Sequence, residues 1–184
     1  MYKTFTIHSS VAIAAVLLAG SVHAQNGSTT VQSAALHCST HAGSGAFNAI
    51  SWSVGASMPM PAQSNGASGR EAKSSVAQLG SFNLVKAFDE CSPALFGALV
   101  TGSILQTVTI TDRGVDPVNG GTHKSSPVTI QLQDVQVSQF MLSDGSSAAG
   151  PAESISLVYS KITITNLNNG SKFCWDNMLQ HTCS

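Results

Sequence analysis

Charge is what this sequence has least of. Its 184 residues carry eight Lys and Arg against nine Asp and Glu, only 9% of the chain, and neither sign is gathered into a run. A nucleic-acid surface depends on clustered cations that displace condensed counterions, so that class of partner is excluded. A long apolar run is also missing. The strongest, VAIAAVLLAG from Val11 to Gly20, is half the roughly 20 residues that a membrane-spanning helix needs. Catalytic signatures are absent as well: the chain has no G-x-S-x-G nucleophile elbow and no H-E-x-x-H. Ser is so abundant that a Ser/His/Asp set in the composition carries no information. No paired C-x-x-C accompanies Cys38, His37 and His41, which excludes the usual structural zinc pattern. Catalytic, cofactor-binding and metal-ligating residues are all expected to be none.

What is present begins with the leader. Lys3 supplies a positive charge, Val11 to Gly20 an apolar centre, and Val22-His23-Ala24 the small residues of a cleavage point. Residues 1–24 read as a secretory signal peptide cut between Ala24 and Gln25. What remains is of single-domain length. It keeps seven cations against nine anions, a net charge of −2. With polar positions filled by Ser, Thr, Gln, Asn and Gly, repulsion between copies is weak and self-association meets little electrostatic resistance. Nothing left after cleavage suggests a membrane.

All four cysteines, Cys38, Cys91, Cys174 and Cys183, lie beyond the leader. An even count in an exported chain indicates two disulfides in an oxidising compartment, secreted or periplasmic. Three pairings are possible. The short loop between Cys174 and Cys183 favours that pair, leaving Cys38 with Cys91.

Along the chain, two-residue periodicity dominates. A short strand is expected from Val31 to Leu36. FNAISWSVGA, Phe47 to Ala56, follows as a strand that buries Ile50, Trp52 and Val54. Met58 to Ser75 has two prolines and no period and reads as a long loop. Strand resumes over Val76 to Val85. Ser92-Pro93 then offers a capping hydroxyl and a first-turn proline, with Asp89 and Glu90 favouring the helix N-terminus. Leu95, Phe96, Leu99 and Val100 form an apolar stripe and Gly102 stops a helix of about residues 93–101. Ile104, Val108 and Ile110 share the face of another strand. Val128, Ile130 and Leu132 give way to Val135 and Val137 with opposite parity, which predicts a bulge near Gln133 to Val135. Ile155, Leu157 and Tyr159 yield to Ile162 and Ile164, a second switch that implies a bulge or a strand bending between sheets. Such bends close an antiparallel sheet into a barrel. The Asn-Gly-Ser triplets at Asn26 and Asn169 match a glycosylation sequon and also read as ordinary turns. The fold class is all-β.

ISWSVG at Ile50 to Gly55, SPALFGALVTG at Ser92 to Gly102, VTIQLQDVQVSQF at Val128 to Phe140 and PAESISLVYSKITIT at Pro151 to Thr165 stand in an order that resembles the Hcp family. That family supplies the tube protein of the type VI secretion system. The resemblance implies a small antiparallel β-barrel of two sheets over residues 25–165, with one short helix on its side. It implies a non-enzymatic subunit that forms six-membered rings stacked into tubes, partnered by its own copies, by secretion-system components and by small cargo proteins in the lumen. The Met58–Ser75 loop falls where the family has an extended loop that contacts neighbouring subunits. Family members are made without a leader, whereas this chain has one, together with four cysteines and a tail over residues 166–184 that the family core does not need. A different class of function keeps the barrel as an exported carrier or an enzyme, binding a ligand through its loops with His123 and Asp112 or Asp116. A third reading is a cytoplasmic tube whose N-terminus only mimics a leader. Mass spectrometry of protein recovered from cells is expected to place the N-terminus at Gln25, and an intact Met1 would remove the export reading.

Overall fold

The computed structural model describes residues 29–58, 76–114, 127–144 and 150–183. The leader with its Ala24–Gln25 cleavage point, the Asn26 sequon, residues 59–75, Asp116 and His123 lie outside the described residues.

Thr29–Gln32 forms β1 and buries Thr29 and Val31. It is shorter than the expected Val31–Leu36 because the chain turns at Ser33, whose N–H donates to the Gly45 carbonyl at 2.8 Å. Gly45 has φ +65°, and a Cβ there would sit 2.3 Å from the Ser33 carbonyl oxygen, so only glycine allows this crossing. A small hairpin of β2 (Ser39–Thr40) and β3 (Gly43–Ser44) lies between. β4 (Ala46–Ala49) and β5 (Ser51–Ser53) are one extended segment interrupted at Ile50. The sequence pattern buries Ile50 with Trp52. Instead its side chain is 68% exposed while its N–H donates to the Val85 carbonyl at 2.7 Å. The interruption reverses parity, so Phe47 and Ala49 face the core before it and Trp52 stacks on Phe82 after it, ring centroids 5.7 Å apart.

β6 (Ala56–Ser57) pairs with β7 (Gln78–Leu79), and β8 (Phe82–Ala87) follows. The single strand expected over Val76 to Val85 is thus two, parted at Gly80, whose N–H donates to the Gly55 carbonyl. The helix α1 spans Ser92–Thr101. Gly102 ends it at φ +65°, with the N–H groups of Gly102 and Ser103 donating to the carbonyls of Leu99 and Ala98. Its buried face is Ser92, Leu95 and Ala98, at i, i+3 and i+6. Phe96 and Val100, expected in the apolar stripe, are 51% and 64% exposed, and Phe96 meets Phe140 edge-on at 5.5 Å. Ser92 is not the cap. Cys91 holds that position without a side-chain capping bond, because the Ser92 hydroxyl is engaged beneath the helix.

β9 (Leu105–Asp112) buries Leu105, Val108 and Ile110 and leaves Ile104 in solvent, one residue off the expected face. β10 (Val128–Ser143) is followed by β11 (Ala152–Val158), β12 (Lys161–Asn166), β13 (Lys172–Asp176) and β14 (His181–Thr182). The parity switch in β10 falls where the pattern puts it. Asp134 takes φ +51°, with Ile130 and Leu132 buried before it and Val135 and Val137 after it. The second switch is a bend: β11 and β12 are separated by Tyr159 and Ser160 and run along successive halves of β10. Both bends meet. The Ser160 hydroxyl donates to Asp134 Oδ2 at 2.6 Å and the Ser160 N–H to the Gln133 carbonyl at 3.0 Å.

Antiparallel pairing passes from β9 to β1, to β4 and β5, to β8, to β11, to β10 and back to β9. This closed circuit is a barrel assembled from two sheets that share β10. Phe47, Phe82, Leu84, Leu132 and Ile155 fill it, and α1 packs against its side at β10. Beyond the circuit, β13 adds to the free edge of β12 and β14 to β13, so residues expected as a tail form a sheet extension. Asp134→Ala, which keeps a left-handed backbone and loses the Ser160 bond, is expected to cost about 1–3 kcal/mol in urea unfolding. Asp134→Gly loses the same bond but relaxes the backbone and is expected to cost clearly less. Equal losses would show that the bend does not depend on this residue's backbone.

Candidate functional site at the helix mouth

Strand parity sends two charged residues inward. Lys86 follows Phe82 and Leu84 on the buried face of β8, and Glu153 precedes Ile155 and Leu157 on the buried face of β11. The antiparallel register sets them opposite each other. Lys86 Nζ lies 2.8 Å from Glu153 Oε2, and both side chains are 0% exposed. An unpaired charge there would be prohibitively costly, so the pair must form wherever this register forms.

The helix mouth closes over the ammonium. Nζ reaches the Ser92 hydroxyl at 2.9 Å, the Ala87 carbonyl at 2.9 Å and Asp89 Oδ1 at 2.8 Å, and it sits 5.3 Å from the centre of the Phe47 ring. Three ammonium protons thus face four oxygen acceptors. The Asp89 N–H donates to Ser92 Oγ at 2.9 Å, and the Cys91 N–H to Asp89 Oδ1 at 2.8 Å. Asp89 therefore serves the helix start as the sequence suggests, through a turn that also binds the buried cation. Glu153 Oε1 is buried without a hydrogen-bond partner. Every nucleophile in this cluster is engaged, so its chemistry is structural: it locks β8, β11 and α1 together.

Cys91 lies inside the same turn, fully buried, and forms a disulfide with Cys38, 53 residues away, with Cα atoms 5.0 Å apart. The bridge ties the segment after β1 to the start of α1. In the chain-entropy account a loop of this length is stabilised by about 4 kcal/mol. Cys174 in β13 and Cys183, the residue after β14, form the second disulfide, Cα atoms 5.2 Å apart. Cys38 is thereby unavailable as a thiolate ligand. Among the described residues no cluster of three or more His, Cys, Asp or Glu side chains could hold a metal ion.

Asp112, a candidate acid, is committed to the barrel. Trp52 Nε1 donates to its Oδ2 at 2.9 Å and the Gly114 N–H to its Oδ1 at 2.8 Å. Burial pushes this carboxyl up, and the bonds from Trp52, Gly114 and Thr29 more than reverse that, holding it below the ordinary carboxylate value. His123 and Asp116 lie outside the described residues. At the second sequon Asn169 makes a turn, its Oδ1 accepting the Ser171 N–H at 3.0 Å, with Gly170 at φ +72°.

The composition and motif reading passed over Lys86 and Glu153. Their signal was available, because each is the charged member of an otherwise apolar alternation.

Comparison with known proteins gives this geometry a context. A family profile described as "Type VI secretion system effector, Hcp" matches residues 36–165. Hcp1 from Salmonella typhimurium is 12% identical and superimposes with a TM-score of 0.62, over 85% of this chain and 99% of that one. Hcp1 from E. coli EAEC 042, carrying two substitutions, is 16% identical with a TM-score of 0.58, over 81% and 96%. The secreted protein Hcp3 from Pseudomonas aeruginosa is 17% identical with a TM-score of 0.53, over 81% and 97%. A search of curated protein sequences returned no match. Lys86 and Glu153 fall within the matched span, while β13, β14 and the Cys174–Cys183 bridge fall beyond its end.

Lys86→Met and Glu153→Leu are each expected to lose about 3–5 kcal/mol of stability, since each strands a buried charge. The double variant is expected to recover most of that loss, as an apolar pair of similar volume. Denaturant unfolding of the three proteins checks this, and additive losses would show that the two side chains do not act as a pair.

Proposed function

The chain belongs to the Hcp family of the type VI secretion system, and from that premise we propose an exported member that assembles into homo-oligomeric rings outside the cytoplasm. Hcp proteins are non-enzymatic subunits that form oligomeric rings in secretion tubes and are themselves secreted, and this chain is a structural protein of that kind. The leader over residues 1–24, cut between Ala24 and Gln25, would carry it through the general export route. Residues 25–165 form the ring-building barrel and residues 166–184 an added, disulfide-bearing segment. The destination is the periplasm or the exterior. The ring is a homohexamer, as the family likeness implies, able to stack and to receive small cargo proteins or secretion-system components.

The two disulfides carry this reading. Bridges of this kind persist in oxidising compartments and are rare in the cytoplasm, where the family's tubes assemble. Low charge density supports association, because copies approach with little repulsion. Light scattering of the oxidised protein beginning at Gln25 is expected to give a particle near six times the subunit mass, with rings in negative-stain images. A strictly monomeric particle at high concentration overturns the ring. Replacing Cys38 and Cys91 together by serine is expected to lower ring yield in proportion to the folded fraction, checked by the same measurement.

A further inference from the structure

A cleft opens where the added segment meets the barrel. One wall is β13, with Phe173 and Trp175. The other is built from Val54, Leu79, Ile162 and Ile164 on the barrel and the β6–β7 hairpin. Ile162 stands opposite Trp175 and Ile164 opposite Phe173 in the antiparallel register, so the floor is a continuous apolar patch. Phe173 is 55% exposed in it. The cavity measures about 400 Å³, within the range of small-molecule sites, and among the described residues no charged side chain lines it. It exists because of residues beyond the family match, since without β13 it has no second wall.

Two further observations indicate an occupant that is mostly apolar with an uncharged polar end. Trp175 lines the cleft through the carbons of its ring, its Nε1–H being enclosed and out of reach of solvent. A second cleft borders the first, sharing Ala77 and Leu79, and its own lining adds the amides of Gln78, Asn177 and Gln180. Among the described residues charge is missing from both linings, which disfavours a fatty-acid carboxylate or a phosphate head group. We propose that this cleft binds a single-chain, uncharged amphiphile, its hydrocarbon chain between Phe173 and Leu79, its polar oxygens accepting from the amides of the neighbouring cleft. The Cys174–Cys183 bridge fastens the strand that carries Phe173 and Trp175, so the oxidised state keeps the wall in place.

The test is calorimetric titration of the oxidised, full-length folded protein with 1-decanoylglycerol below its aggregation threshold. Saturable binding of one molecule per chain is expected. Phe173→Glu is expected to weaken it at least tenfold. Val100→Glu, an exposed apolar residue on α1 away from the cleft, is expected to leave it unchanged. Non-saturating heat overturns the proposal, as does equal binding by Phe173→Glu or equal loss in both variants. So does an affinity that rises tenfold on deletion of residues 59–75, since that segment would then be the occupant. Splitting of an oligomer by the probe, seen by light scattering, assigns the cleft to a second copy and likewise overturns it.

Discussion

Everything in this barrel is arranged around one buried cation. Lys86 brings a full charge into the core on the face that Phe82 and Leu84 occupy, and Glu153 answers it from the neighbouring strand. The pair adds little net stability compared with two well-packed apolar side chains, but it penalises alternatives severely. A one-residue slip between β8 and β11 would turn the slipped strand's charge outward with the hydrophobic residues in phase with it, and leave the other charge buried alone. A two-residue slip would separate the charges while keeping them buried. The register is therefore the one arrangement in which the ammonium and the carboxylate are both buried and matched.

The same cation explains why a strand protein keeps one short helix. An ammonium needs more than one carboxylate oxygen, and strands alone leave its remaining protons facing apolar side chains. The turn at Ala87, Asp89 and Ser92 supplies the missing acceptors, and α1 continues directly from that turn. Cys91 sits between two of these acceptors, so its bridge to Cys38 fixes the turn from the other side. Helix, ion pair and disulfide are one joint, and loss of any member loosens the others.

How much of this was legible follows from the physics of each feature. Two-residue periodicity located the bend at Asp134 because β10 is buried on one face along its first ten residues, and a change of parity there has only a backbone explanation. Periodicity misplaced Ile50 because it is itself the interrupting residue, and the phase that holds for Trp52 and Val54 does not extend back across it. The helix face was misjudged because four large apolar residues on a helix do not say which of them meets the barrel, and Phe96 found an outer partner in Phe140. Ser92 was read as a cap from its position before Pro93, yet the hydroxyl was taken by a lysine six residues upstream in sequence. Lys86 and Glu153 were visible as charged breaks in apolar alternations, and such breaks are usually read as solvent positions unless two of them fall opposite one another. The strand identity of residues 172–182 carried no such signal, because it depends on the open edge that β12 presents.

The closed circuit of pairing also has a mechanical meaning. Apart from β4 and β5, each strand of the circuit is held by a ladder on both sides, so a pull on it is shared between two neighbours and cannot unzip the sheet from an end. The C-terminal extension is different: β14 and β13 lie in series outside the circuit, and traction on the C-terminus loads them first. The covalent bridge from Cys174 to Cys183 carries that load straight into β13, sparing the residues it encloses, and from there it reaches β12. A pull at this end is met by a replaceable outer layer, and the hoop beneath stays whole.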